Sequence, residues 1–93
     1  MQFTKALRPR VQSGELTCSV RIWKWPHVKV GGRYALPPGE IEVTGVRTIT
    51  RDDITEDLAR RSGFPSVEAL LAVAQHGSGE HVFVIDFVYH EPG

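Results

Sequence analysis

Ninety-three residues, 41% hydrophobic and 24% charged, suffice for one folded domain and one core and do not resemble a disordered tail. The formal net charge is 0, which argues against a uniformly basic surface for sequence-independent binding of nucleic acid. No stretch approaches the roughly 20 apolar residues that span a bilayer, and Met1 to Val11 lacks the unbroken apolar core of a signal peptide, so the expectation is a cytoplasmic chain without membrane contact.

Phe3, Leu7 and Val11 recur every fourth residue, an apolar stripe on a helical segment over residues 3–12. Pro9 implies that this helix starts near Leu7 or bends there. Ser13-Gly14 ends it. From Thr17 the period becomes two: Cys18, Val20 and Ile22 make the core face of a strand, while Thr17, Ser19, Arg21 and Trp23 make the other, with Pro26 closing it. Lys29-Val30-Gly31-Gly32 turns the chain into a short strand, Arg33 to Leu36, and Pro37-Pro38-Gly39 turns it again. Glu40 to Thr50 reads as a longer strand with an irregularity at Gly45.

Asp52 or Asp53 can cap the next helix, with Glu56 completing a capping box, and this helix runs through Leu58 and Ala59 to Ser62-Gly63. Ser66 caps a second helix, Val67 to Gln75, whose buried side is Val67, Leu70, Leu71 and Val73-Ala74. His76-Gly77-Ser78-Gly79 ends it. In His81 to Val88, nearly continuous apolar character predicts a central strand, interrupted by Asp86. The elements together predict an α+β fold: a small, partly closed, mixed β-barrel with two or three appended helices, in a single domain over residues 1–93.

Neither a dinucleotide-binding glycine fingerprint nor a phosphate-binding loop is present, and four scattered histidines show no zinc spacing. No metal or organic cofactor is implied. Cys18, the only cysteine, cannot form an intrachain disulfide and fits a small buried hydrophobe. Charge is unevenly distributed. Residues 1–33 hold seven cations against Glu15 alone, net +6, and residues 34–93 carry net −6. Either the first third projects a local positive field or the two regions pair across the surface.

Gly14 to Arg21, Lys29-Val30-Gly31-Gly32, Ile54-Thr55-Glu56 through Gly63-Phe64, and Val82-Phe83-Val84-Ile85-Asp86-Phe87 follow the order and spacing of the ASCH domain family. That family's small barrel is similar to the PUA domain of RNA-associated proteins. The resemblance covers most of the chain and implies a PUA-like fold. On the family pattern G-x-K-x-x-T-x-R, the glycine falls at Gly14, the lysine position is Leu16, the hydroxyl position is Ser19 and the arginine is Arg21. Some small members resemble amidohydrolases that deacylate an acetylated cytidine nucleoside with a lysine, a threonine and a glutamate. Here the glutamate position falls near Ser62. Chemistry of that kind would rest on Ser19 as nucleophile and a displaced base such as Glu56, while Glu15, next to Leu16, points to the wrong strand face to replace the lysine.

A binding role uses other side chains. Arg21 shares the Ser19 face and either grips phosphate or a base edge, or pairs with an acid such as Glu42 or Glu56. In W-K-W-P-H-V-K, aromatic rings can stack on unpaired bases while cations hold phosphates. Trp25 is the ring available to a ligand and Trp23 the one expected in the core. Arg33, Arg47 and Arg51 can extend a cationic rim, and Tyr34, Tyr89 and His90 can line a barrel mouth. The leading expectation is therefore an RNA- or nucleotide-binding domain with a cleft bordered by Ser19, Arg21, Lys24, Trp25 and Lys29. A hydrolase acting on a modified nucleoside, or a domain that associates with a protein partner through apolar strand edges, are the alternatives.

Overall fold

The computed structural model describes Phe3, residues 5–74 and residues 81–92, with the backbone alone for Ala74. The chain forms α1 (Arg8–Gln12), β1 (Cys18–Trp23), β2 (Arg33–Leu36), β3 (Gly39–Ile49), a 3₁₀ turn (Arg51–Asp53), α2 (Glu56–Arg61), α3 (Val67–Ala74) and β4 (His81–His90). The strands lie in the order β1-β4-β3-β2 and curl into a half-barrel. The expected α+β domain, with barrel-like sheet and three α-helices, is therefore present.

In place of a mixed sheet, all three ladders are antiparallel. Ile49, the last residue of β3, pairs with Val82, the second residue of β4. The helical excursion thus leaves and re-enters the sheet at one end, which forces an antiparallel return. β4 is central, as its apolar run predicts, with β1 and β3 on either side.

Gly45 sits at the expected irregularity, a register shift between Val43 and Gly45. Before it, Ile41 and Val43 pair with Tyr89 and Phe87. After it, Val46 and Thr48 pair with Ile85 and Phe83. The extra residue Thr44 reverses the parity of β3, so odd positions face one side before the bulge and the other side after it.

Both faces of the sheet are covered over much of their area. On one, Val20, Ile22, Val82 and Val84 pack with Ile54, Ala59 and Leu70 beneath α2 and α3. Phe83, Ile85 and Phe87 point to the other face. There Phe87 and Ile41 pack with Phe3, Val11, Leu16 and Leu36, while Phe83 and Ile85 pack with Val43 and Val28. Each fully buried side chain of this size contributes about 2 kcal/mol of transfer free energy. Phe3, Leu7 and Val11 meet in one cluster, as their spacing predicts, and Pro9 is in the first turn of α1.

Three local expectations need correction. The strand predicted to reach Pro26 ends at Trp23, because Trp23 pairs with the first residue of β4, His81, and the chain bends after it. Thr55, not Asp52 or Asp53, caps α2: its Oγ1 accepts the Leu58 N–H at 3.1 Å. Asp53 is instead held back in the 3₁₀ turn, where its carboxylate accepts the Thr50 N–H and hydroxyl, each at 3.0 Å. Buried Ile54 separates the two turns in extended conformation. Ser66 does cap α3, accepting the Ala69 N–H at 3.1 Å. Val73, expected on the buried side of α3, is exposed, and burial on this helix falls on Leu70 with Val67 and Leu71 half-buried. Gln75 and the expected stop at His76 to Gly79 lie outside the described residues.

Candidate functional site

Alternation along β1 places Ser19, Arg21 and Trp23 on the sheet face opposite α2 and α3. The row is not a solvated decoration. Ser19 is 7% exposed, and Arg21 and Trp23 are half-buried. Arg21 Nε donates to Ser19 Oγ at 2.9 Å, and its guanidinium carbon lies 5.3 Å from the centroid of the Phe3 ring. Burial lowers the Arg21 pKa from its ordinary value. Glu42 and Glu56, the acids anticipated for Arg21, are engaged elsewhere. Glu42 is 2.8 Å from His90 Nε2 and 3.6 Å from Arg33, and Glu56 accepts the Val67 N–H at 3.3 Å.

Leu16 and Ser62 carry structure. Leu16 is buried against Phe3, Val11, Ile41 and Phe87. Ser62 is buried at the end of α2, its hydroxyl donating to the Ala59 carbonyl at 3.0 Å. Glu15 forms an ion pair with Arg10 at 2.7 Å. Glu56 belongs to α2, whose Ala59 packs with Val20 and Ile22, whereas Ser19 faces the other way. The sheet therefore separates Ser19 from Glu56. The group in contact with Ser19 Oγ is a cation, which cannot take its proton. Cys18 is buried, and desolvation raises its thiol pKa.

Lys24, Trp25 and Lys29 lie together in the loop that leaves β1, outside the sheet. Trp25 is 61% exposed, with Lys24 Nζ 5.4 Å from its ring centroid. Pro26 follows it and biases the Trp25 backbone toward extended conformations. Trp23 is fixed differently: the His27 ring meets it edge-on with centroids 4.7 Å apart, and Phe83 is at 6.1 Å. Past Val28, which is buried, the Lys29 N–H donates to the Tyr34 hydroxyl at 3.2 Å, and the Gly32 N–H donates to the Lys29 carbonyl at 3.0 Å. The Gly31 N–H reaches the Val43 carbonyl at 2.8 Å, with Gly31 at φ +84°. Both ends of the loop are thus pinned to the sheet.

The two readings of the uneven charge each hold in part. Arg33 pairs with Glu40 at 2.8 Å across β2 and β3, and the bond to Glu40 raises the Arg33 pKa. Lys24 and Lys29 are exposed and form no ion pair with any described residue. Of the other rim candidates, Arg47 is 3.9 Å from Asp86, and Arg51 is exposed at the far end of β3. Asp86 itself is half-buried opposite Gly45. His90 faces Glu42 on the outer side of the ladder, while Tyr34 and Tyr89 border the opposite face.

Three clefts of about 280, 320 and 370 Å³ gather at the other end of β4, around Gln12, Pro38, Tyr89, Glu91 and Pro92. None of those three is lined by Ser19, Arg21, Lys24, Trp25 or Lys29. Among the described residues no group of three or more His, Cys, Asp or Glu side chains is placed to hold a metal ion, and no helix is long and apolar enough to cross a membrane. The contact of Trp23 with Phe83 across the β1 and β4 ladder, and that of Arg21 with Phe3 from outside the sheet, depend on tertiary placement, which single-residue periodicity does not supply. The chain matches no family model, no curated protein and no solved structure in the comparisons made with each.

Proposed function

We propose that this protein binds RNA or a nucleotide-like ligand through the loop from Lys24 to Lys29, with the Arg21 and Ser19 row of β1 as the rigid sheet margin behind it. One observation carries this reading: an exposed indole, Trp25, with the Lys24 ammonium over its ring and a second exposed lysine in the same loop. Stacking on an aromatic face holds unpaired bases irrespective of sequence, and ammonium groups hold the flanking phosphates. The resemblance of Gly14 to Arg21 to the ASCH domain pattern points to the same ligand class. A cytoplasmic setting accords with a lone thiol that has no intrachain partner.

Acyl transfer draws less support, since Ser19 has a cationic neighbour where a nucleophile needs a base. The test is equilibrium binding of short single-stranded and structured RNAs to the full chain and to Trp25→Ala, after confirming by circular dichroism that both are folded. Weakening with salt and a loss of about tenfold or more in Trp25→Ala are expected. A folded parent that binds none of the RNAs overturns the proposal and directs attention to modified nucleosides and then to protein partners.

A further inference from the structure

We infer that the loop accommodates a single nucleobase and its two adjoining phosphodiesters, so that its ligand class is the short single strand, with a footprint of about three nucleotides, rather than a long tract or a duplex. The inference rests on the proposed binding role of this loop and deepens it. It starts from an asymmetry between the two tryptophans. Trp25 projects into solvent, and Lys24 Nζ already stands over its ring, 5.4 Å from the centroid. A base therefore has the opposite ring face to stack on. Trp23 offers no second platform, because His27 stands edge-on to it at 4.7 Å and Phe83 lies 6.1 Å away beneath it. Within this segment one indole stacks and the other braces the loop.

The cations set the same limit. Lys24 precedes Trp25 and Lys29 follows it four residues on in the same loop, and neither has an acidic partner among the described residues. The neighbouring arginines are committed: Arg33 lies on Glu40 and Glu42, and Arg21 is tied to Ser19 and packed on Phe3. Two phosphates on either side of one base satisfy two lysines. A zero net charge on the whole chain is then no obstacle, since a three-nucleotide footprint does not need an extended cationic track. The pairing of Trp23 with His81 at one end, and the bonds of Lys29 to Tyr34 and of Gly31 to Val43 at the other, fix the backbone ends of the loop before a ligand arrives.

The experiment is quenching of tryptophan fluorescence, checked by calorimetry, with oligouridylates and oligoadenylates of two, three, six and twelve nucleotides lacking terminal phosphates. It also includes an RNA hairpin with a fully paired stem, and salt is varied from 20 to 200 mM. The expected result is that affinity rises from two to three nucleotides and then changes by less than about threefold once overlapping sites are counted. With two phosphates neutralised on a single strand, log K should fall with log salt at a slope of about −1.4. Lys24→Ala and Lys29→Ala should each halve that slope. A tenfold or greater gain between three and twelve nucleotides, a slope steeper than about −3, or preference for the paired stem overturns the single-base footprint while leaving nucleic-acid binding intact. Absence of binding to every oligonucleotide overturns the binding role itself, and the footprint with it.

Discussion

Arg21 Nε donates to Ser19 Oγ at 2.9 Å, a bond between neighbours on the same face of β1. Two residues of the polar row on β1 thus hold each other in place. Ser19→Ala should leave a half-buried guanidinium N–H without this acceptor and cost about 1–3 kcal/mol. Arg21→Met should keep the packing of the stem on Phe3 and lose the bond. A double-mutant cycle by urea unfolding should show coupling of about 1 kcal/mol. Strict additivity would mean that the bond contributes nothing to stability.

Gly39 opens β3 directly beneath the end of β4. A Cβ there would collide with the His90 carbonyl and meet the Tyr89 hydroxyl at 2.6 Å. Gly39→Ala should break the Glu40 to His90 pairing and destabilise by about 3 kcal/mol. Gly14 supplies the contrast: its φ is +83° but a Cβ would meet nothing within 4 Å. Gly14→Ala should cost only the left-handed conformation, about 1–2 kcal/mol. Equal losses in thermal unfolding would show that crowding at Gly39 does not govern the site.

The two turns before α2 separate by pH. Thr55→Ala should remove the cap of α2 and cost about 1 kcal/mol at any pH between 3 and 8. Asp53 behaves otherwise, because the Thr50 N–H and then the Thr50 hydroxyl hold its carboxyl below the ordinary range. A depressed acid contributes stability above its unfolded pKa, about 3.9, and loses it as pH falls through the lower folded value. Melting temperatures of the parent and Asp53→Asn should therefore differ at pH 7 and draw together as the pH falls below the unfolded value of about 3.9. A constant difference across that range would show that the ionised carboxylate is not what matters.

Cys18 is opposite Asp86 in the β1 and β4 ladder, and burial raises its thiol pKa. In the unfolded chain the thiol ionises at about 8.5. The native state retains the proton longer, so its contribution is complete below that pH and declines as pH rises toward the folded value. Above pH 8.5 the parent should lose stability relative to Cys18→Ala, and iodoacetamide should label it at a rate set by unfolding. Rapid labelling of the native protein would show that the thiol is accessible.

Much of this protein was determined locally. The four-residue apolar spacing of Phe3, Leu7 and Val11 marked one cluster, although only Val11 lies within α1, strict alternation specified β1, and the apolar run of β4 required cover on both faces and hence a central place. Gly45 marked a bulge because a residue without a side chain interrupts an otherwise alternating strand. Ser66 caps the helix expected of it, but the cap expected at Asp52 or Asp53 falls on Thr55 because of Ile54. Burying Ile54 against Leu70 and Ala59 splits the segment, a decision made by packing and not by capping preference.

The candidate site divides along the same line. The basic and aromatic composition of W-K-W-P-H-V-K was in the sequence, as was the shared face of Ser19 and Arg21. Only the tertiary structure decided that the strand ends at Trp23, which puts Lys24, Trp25 and Lys29 in a loop and leaves Ser19 and Arg21 behind on the sheet. It also set Glu56 and Ser19 on opposite sides of that sheet and buried Leu16 and Ser62. Alternation and spacing report which side of its own element a residue occupies. What faces that side is fixed by strand order and register, and these depend on which distant apolar surfaces exclude water together.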